Sequence, residues 1–329
     1  NQCFVEKLER YSHLSNFFLD EDAEYVAEKL IEFTGKPGKV FYSNSGTEAN
    51  EAVLKTIRKI SSGDKCQIIF FDKGFHGRTT GSLSVTGFAK IRDCFSPLLQ
   101  QTVKLPFNDP QALEHYLDEN HHKVAAVFFF FIQGSGGVVP LTDDFAQTLN
   151  TLHEKHNFAL VCDEIQAGLG RSGKIFAYQH FGLKPNLVTV AKSLGGGLPL
   201  GAVLFLNEFA NILAPGEHGS TFAPNPVALA GARYVVDHIP EMLPDILHKG
   251  DYFIKKIHDM NHPKIGQIRG KGLMLAIQLK EKDQNLRQRA FENQLLLNII
   301  NDKIIRLLPA LNITFDEIDL MVKKIGEVI

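Results

Sequence analysis

The chain has 329 residues, with 35 lysines and arginines, 37 aspartates and glutamates, and a formal net charge of −2 at pH 7. Hydrophobic residues make up 44% and charged residues 22%, which is ordinary for a globular protein and excludes a mainly disordered chain. The near-zero net charge gives no reason to expect a nucleic-acid partner, and the length predicts about two domains.

Short apolar runs alternate with amphipathic stretches through most of the chain. The predicted strands are residues 39–42, 67–71, 125–131, 159–162, 187–191 and 202–205. The predicted helices are residues 22–34, 48–59, 109–119 and 143–155. Strands separated by helices predict an α/β fold with a mainly parallel central sheet. The apolar run at 124–132 fits a strand buried on both faces, and it is far shorter than the ~20 residues of a membrane span.

The pattern changes after about residue 234. A long helical stretch at 246–260 precedes a strand-like run at 269–279 and then more helix. These features predict a large domain at 16–235 and a smaller α+β domain at 236–329.

The four cysteines are widely scattered: Cys3, Cys66, Cys94 and Cys162. They lack the Cys/His spacing of a zinc site, so no metal site is expected. Free thiols in a reducing cytoplasm are the expectation, because the chain is too large to need a disulfide scaffold.

Three segments suggest chemistry. The small-residue turn containing Ser45, Gly46 and Thr47 lies between a predicted strand and a predicted helix, where free N–H groups and the helix dipole suit a phosphate. An ordinary N-cap is the alternative. Asp163 ends an apolar strand, and strand ends of open α/β sheets face the ligand crevice. The alternatives for Asp163 are a helix cap or a salt bridge.

The third segment places Lys192 between an apolar strand and the glycines at 195–197. A half-buried lysine with a lowered pKa can serve as an amine nucleophile, whereas a strand-end lysine otherwise extends to solvent. Pyridoxal 5′-phosphate (PLP) needs an amine, an anion site for its phosphate and a carboxylate at its pyridine nitrogen. The three segments together supply these groups.

The chain resembles the class III (subgroup II) aminotransferases of PLP fold type I, in particular the acetylornithine/ornithine aminotransferase branch. The resemblance covers nearly the whole chain. It depends on N-S-G-T-E-A-N-E-A at 44–52, F-H-G-R-T at 75–79, D-E-I-Q-A-G-L-G-R-S-G at 163–173, A-K-S-L-G-G-G-L-P-L-G-A at 191–202 and H-G-S-T-F at 218–222. The resemblance implies helices on both faces of the sheet and a homodimer with shared active sites. It also implies amino transfer from an N-acetylornithine- or ornithine-class donor to 2-oxoglutarate in two half-reactions, in arginine biosynthesis.

The resemblance assigns roles to the residues of the three segments. Lys192 would form the Schiff base with the cofactor and then move the proton. Asp163 would pair with the pyridine nitrogen, and Ser45, Gly46 and Thr47 would hold the phosphate.

Other matched residues would contact the ring or the substrate. Phe75 would stack on the ring, Gln166 would lie near the ring hydroxyl, and Thr221 would reach the phosphate of the other subunit's cofactor. Arg78 would bind a substrate carboxylate, as a guanidinium can do with two hydrogen bonds. His76 is matched to a cofactor-contacting position, although its chemistry alone favours structural hydrogen bonding. A core role for Phe75 and a surface ion pair for Arg78 are the alternatives.

The sequence departs from the family pattern at 130–137. Where the family has E-P-I-Q-G-E-G-G, this chain has F-F-I-Q-G-S-G-G, so Phe130 and Ser135 replace two glutamates. In the family the second glutamate pairs with an arginine that matches Arg306. A serine cannot neutralise a guanidinium, so Arg306 should stay available to substrate carboxylates. We therefore expect a preference for dicarboxylates or weaker discrimination for ornithine-type donors. Phe130 removes an acid near the cofactor, with an open effect on activity.

Two other functions fit the sequence. One is another PLP reaction on this scaffold, such as 4-aminobutyrate-type transamination, decarboxylation or epimerisation. The other is a catalytically weak dimeric paralogue, which the two lost glutamates favour and the retained Lys192 and Asp163 disfavour. Relatives in the family also carry an extra N-terminal segment, so residues 1–15 are predicted to be the remnant of such a segment.

Overall fold

The computed structural model describes residues 2–329. The strands are β1 (Gly38–Ser43), β2 (Gln67–Phe71), β3 (Thr102–Leu105), β4 (Val124–Phe129), β5 (Ile132–Gln133), β6 (Val139–Pro140), β7 (Ala159–Asp163), β8 (Leu187–Val190), β9 (Gly201–Leu206), β10 (Ile265–Lys271), β11 (Met274–Leu279), β12 (Asn298–Ile300) and β13 (Ile304–Leu307). The helices are α1 (Gln2–Arg10), α2 (Glu21–Glu32), α3 (Gly46–Ile60), α4 (Thr80–Ser84), α5 (Ala89–Arg92), α6 (Pro110–Asn120), α7 (Asp143–His156), α8 (Pro226–Asp259), α9 (Leu286–Glu292) and α10 (Phe315–Val328).

A seven-stranded sheet with the order β1-β9-β8-β7-β4-β2-β3 forms the centre of the molecule. Only β9 is antiparallel to its neighbours in this sheet, so the other six strands point the same way. Their carboxyl ends therefore meet at one edge, where open α/β sheets bind ligands.

Helices cover both faces of this sheet, which explains why β4 is apolar throughout. Val127 and Phe129 of β4 belong to the hydrophobic core that α6 and α7 complete. Ala126 and Phe128 point to the opposite core, against α3. The predicted fold class is confirmed.

A second, antiparallel sheet with the order β10-β11-β13-β12 forms a smaller unit with α9, α10 and the end of α8. Val236 and Ile239 of α8 pack in the core of the large sheet, whereas Ile246 and Phe253 pack in the core of the small one. The boundary predicted between residues 235 and 236 falls inside this continuous helix. We propose that the two domains divide within α8, between Ile239 and Ile246.

Two predicted elements in this part of the chain have different bounds in the structure. The helix predicted at 246–260 begins at Pro226, where the Asn225 side chain accepts hydrogen bonds from the N–H groups of Val227 and Ala228. The strand-like run at 269–279 is two antiparallel strands, β10 and β11. The chain reverses between them at Gly272, whose φ of +55° suits glycine.

The N-terminal helix α1 packs against α8. A Cβ at Gly231 would lie 2.6 Å from the ring of Phe4, so glycine permits the close approach. The Lys7 ammonium forms an ion pair with the Asp22 carboxylate at 2.6 Å, and both side chains are largely buried. These contacts tie residues 2–10 to the large domain; residue 1 of the predicted remnant lies outside the described residues. No helix in the described range 2–329 could span a bilayer.

Candidate active site

A cavity of about 570 Å³ opens at the carboxyl edge of the central sheet. Most of the predicted site residues line it: Ser45, Gly46, Thr47, Phe75, His76, Arg78, Ser135, Asp163, Gln166 and Lys192. They meet there because the strands that precede them are parallel and end at the same edge.

The beginning of α3 forms one end of the cavity. Ser45 caps this helix, since its hydroxyl accepts a hydrogen bond from the Glu48 N–H. The N–H groups of Gly46 and Thr47 donate to no protein group among residues 2–329. A Cβ at Gly46 would lie 2.7 Å from Ile165 Cδ1. Glycine therefore lets the beginning of α3 pack closely against Ile165, which also lines the cavity. Ser45 therefore caps the helix while the N–H groups of Gly46 and Thr47 stay free. Free N–H groups at the beginning of a helix suit an anion.

The carboxylate of Asp163 lies on the cavity wall at the end of β7 and is only 2% exposed. Its Oδ2 accepts hydrogen bonds from Asn50 Nδ2 at 3.0 Å and from His76 Nδ1 at 2.8 Å, with the ring proton assigned to Nδ1. Its Oδ1 accepts from the Ile165 N–H at 3.1 Å. Three donors therefore fix the orientation of this carboxylate.

His76 is held from several sides. Its ring stacks on Phe130, with centroids 4.2 Å apart and planes inclined by 15°, and it meets Phe128 edge-on. Its Nε2 is buried and has no hydrogen-bond partner in the described chain. Phe130 thus occupies one face of the histidine that holds Asp163.

Lys192 follows β8 and also lines the cavity. Its φ is +51°, in the left-handed region that non-glycine residues adopt rarely and at a cost of about 1–3 kcal/mol. Burial lowers the pKa of Lys192; Arg306 acts in the same direction and Asp163 opposes it. This combination gives a lysine whose amine loses its proton more readily than a lysine in water.

Gln166 and Arg78 approach the cavity from different loops. A Cβ at Gly134 would lie 1.5 Å from Gln166 Oε1, so the Gln166 amide can occupy its position only because residue 134 has no side chain. The guanidinium carbon of Arg78 lies 5.9 Å from the ring centroid of Phe75. Arg78 forms a cation–π contact there, and its exposed guanidinium is available to a ligand.

Arg306 and Thr221 are not among the lining residues. Arg306 lies on β13, and its buried Nε has no partner within residues 2–329. Burial lowers the pKa of Arg306, and no carboxylate in the described part of the chain opposes this effect. Thr221 is exposed on the loop before α8.

Two lining or supporting residues were missed by sequence reasoning. Asn50 donates a hydrogen bond to Asp163 from the buried face of α3. The sequence does carry a signal for it, because a polar amide on the apolar stripe of a helix needs a buried hydrogen-bond partner. Lys73 lines the cavity from the turn after β2, and no sequence pattern marks it.

The residues present fit PLP. The free N–H groups of α3, the carboxylate of Asp163 and the amine of Lys192 face one cavity, and these are the three groups that PLP requires. No cluster of three or more His, Cys, Asp or Glu side chains in the described range could hold a metal ion.

Comparison with known proteins agrees with this chemistry. The family model "Aminotransferase class-III" matches residues 2–329. The acetylornithine aminotransferase of Aquifex aeolicus is 38% identical over 331 residues, covering 100% of this chain and 86% of that protein. The succinylornithine transaminase of Photorhabdus laumondii is 38% identical over 327 residues, covering 96% and 80%. The solved ornithine aminotransferase of Toxoplasma gondii, described with PLP at its active site, superposes with a TM-score of 0.91 at 27% identity, covering 99% and 80%. The chain belongs to the class-III aminotransferase family and is a PLP-dependent transaminase.

Proposed function

We propose that this enzyme moves an amino group from an ornithine-like donor, of the N-acylornithine or ornithine class, to 2-oxoglutarate in two half-reactions. The observation that carries the proposal is the single cavity shared by Lys192, Asp163 and the beginning of α3. The donor class is supported by relatives that are named acetylornithine aminotransferase and succinylornithine transaminase.

PLP, when bound, supplies an aromatic ring that withdraws electrons from the reacting carbon of the substrate. The free N–H groups of Gly46 and Thr47, next to the capping Ser45, would hold its phosphate. Asp163, whose carboxylate is kept in place by Asn50 and His76, would hold a proton at the ring nitrogen. Phe75 and Gln166 line the same cavity, where they would contact the ring.

Lys192 acts as the base and acid. Its lowered pKa leaves more neutral amine near neutral pH than an ordinary lysine would have, so Nζ would accept a proton from the reacting carbon of the substrate and later return it. The strained backbone at Lys192 fixes the direction from which the side chain enters the cavity.

Two guanidinium groups bind substrate carboxylates. Arg78 lines the cavity and Arg306 lies near Lys192, on which it acts electrostatically. Ser135 lines the cavity without supplying a negative charge, so Arg306 stays free for a second carboxylate. This arrangement favours substrates with two carboxylates, 2-oxoglutarate among them.

A donor screen with 2-oxoglutarate as acceptor tests the proposal. We expect ornithine-like donors to bleach the absorbance band of the bound cofactor and to yield glutamate. In the Lys192→Ala variant, reduction with borohydride should leave no cofactor covalently attached, whereas the parent enzyme should retain it. Product that forms equally well without an oxo-acid acceptor would instead indicate decarboxylation or epimerisation.

A catalytically weak paralogue is the second candidate, because Phe130 and Ser135 stand where the family pattern has glutamates and give the cavity no acid. The cofactor band separates the two functions. A band that every amino donor leaves unchanged indicates the weak paralogue, and bleaching by an ornithine-like donor indicates the transaminase.

We also propose a homodimer with shared active sites. Phe17, Leu19 and Phe222 are 94%, 89% and 62% exposed. The Asn16 side chain donates a hydrogen bond to the Ser220 carbonyl, which joins the two loops that carry these residues. Thr221 lies in the same region, outside its own cavity and free to reach a partner's cofactor. Sedimentation of a Phe17→Asp variant should show monomers; an unchanged dimer would place the interface elsewhere.

A reducing cytoplasm is the compartment that we propose for the enzyme. Its four cysteines are all unpaired, and Cys94 is exposed. Cell fractionation should recover the enzyme with four titratable thiols after denaturation.

A further inference from the structure

The charges that line the cavity are unbalanced. Lys73, Arg78 and Lys192 bring three basic side chains, whereas Asp163 is the single carboxylate among the described lining residues. Asn50 and His76 already bind that carboxylate. Two of the three cations have a place in the proposed reaction, and Lys73 does not.

The backbone of Lys73 is strained and firmly held. Its φ is +56°, a left-handed conformation that costs a lysine about 1 kcal/mol or more. Its N–H donates to the Gly87 carbonyl at 3.3 Å. The preceding residue, Asp72, accepts hydrogen bonds from the Phe107 N–H at 2.7 Å and, through its carbonyl, from the Gln133 side chain at 2.9 Å. Strain that the surroundings maintain is typical of functional positions.

Lys73 lies against the turn that carries Ser135. A Cβ at Gly136 would be 3.1 Å from the Lys73 carbonyl oxygen and 3.2 Å from its Cβ. The Lys73 side chain is exposed, and its ammonium makes no hydrogen bond or ion pair with any residue in the range 2–329. Lys73 thus brings an unpaired cation to the cavity, and its backbone packs on the glycine next to Ser135.

We propose that Lys73 determines donor specificity by binding an anionic group at the end of the donor remote from the transferred amine. The preferred donor is then an N-acylornithine whose acyl group ends in a carboxylate, rather than one with a neutral acyl group. A free ammonium at that end is disfavoured, because no carboxylate of the described lining is available to receive it. This inference rests on the proposed function, of which it specifies the substrate.

The test compares N-succinylornithine with N-acetylornithine, which share the reacting amine and differ in the terminal carboxylate. The half-reaction of the PLP-loaded enzyme with donor alone is followed at the cofactor band, so the acceptor plays no part. At low ionic strength we expect kcat/KM to favour the succinyl donor by about fivefold, the size of one exposed ion pair. The preference should shrink as salt is added.

The Lys73→Gln variant should lose this preference, so that kcat/KM becomes equal for the two donors. Lys73→Asn is the second variant, because asparagine tolerates the left-handed backbone better than most residues. Lys90→Gln, at an exposed lysine outside the cavity, is the matched control and should leave the preference unchanged. An equal preference in the parent enzyme and in both Lys73 variants overturns the inference.

Calorimetric binding of the two donors to the loaded enzyme separates failure of this inference from failure of the proposed function. If neither donor reacts, the proposed function is wrong. Tighter binding of the succinyl compound that is lost in Lys73→Gln would then still support the role of Lys73. Equal affinities for the two compounds would overturn it.

Discussion

Asn50→Leu is the sharpest test of how the site holds Asp163. Asn50 Nδ2 donates to the Asp163 carboxylate at 3.0 Å and to the His76 carbonyl at 2.6 Å, and its Oδ1 has no partner in the described chain. Leucine is of similar size and removes both hydrogen bonds. A bond to a charged group is worth about 1.5–3 kcal/mol and a neutral bond about 1 kcal/mol. The free energy of unfolding should therefore fall by about 2–4 kcal/mol.

The same variant should bind PLP about tenfold more weakly, because Asp163 loses one of its three donors. Cofactor affinity is measured by titrating the apoenzyme and following the absorbance of the bound form. Stability is measured as the Tm of the apoenzyme, in which cofactor binding makes no contribution.

Asn186→Leu is the matched control. Asn186 is also buried and also makes two hydrogen bonds, accepting from the Leu160 N–H and donating to the Glu208 carboxylate. It lies at the opposite edge of the central sheet, before β8. We expect a similar loss of stability and an unchanged cofactor affinity. If both variants lowered PLP affinity equally, Asn50 would have no specific effect on Asp163 and the reasoning would fail.

Three further predictions concern Ser135, Glu164 and Gly134. Ser135→Glu should neutralise Arg306. The donor preference in the half-reaction should then shift from glutamate towards ornithine-like donors by about tenfold, and an unchanged preference would contradict a role for Ser135. Burial raises the pKa of Glu164 from 4.5 to about 7, so the folded chain keeps a proton that the unfolded chain releases between these values. The contribution of Glu164 to the free energy of unfolding should fall as the pH rises from about 4.5 to 7 and stay level above pH 7. The total fall is up to about 3 kcal/mol, and Glu164→Gln should abolish it in denaturant titrations. Gly134→Ala should force Gln166 Oε1 out of its position and weaken PLP binding while the Tm of the apoenzyme changes by only a few degrees.

The sequence predicts six of the seven strands of the central sheet and misses β3; the six are found because their signals are local. The buried run of β4 and the apolar segments before Asp163 and Lys192 need no distant contact to be read as strands. Their common direction then brings Asp163 and Lys192 to one edge, so the core of the site could be predicted from the chain alone.

Other features depend on tertiary contacts. Pro240 and Pro244 interrupt the helical pattern, yet α8 continues because Val236 and Ile239 pack in one core and Ile246 packs in the other. The cost of about 3 kcal/mol for a proline inside a helix is offset only by such packing, which a sequence pattern does not display. The strained backbone of Lys73 likewise follows from its neighbours in space, not from its neighbours in sequence.

The two prolines of α8 also affect how easily this helix bends between the two sheets. A proline nitrogen cannot donate, so the carbonyls of Val236 and Pro240 lack their usual helical partners, and this turn loses two of the hydrogen bonds that stiffen a helix. Arg306 lies on β13 of the smaller sheet, whereas Lys192 follows β8 of the central sheet. Bending at this turn would therefore change the distance between the Arg306 guanidinium and the Lys192 amine, the groups proposed to bind a substrate carboxylate and to move the proton.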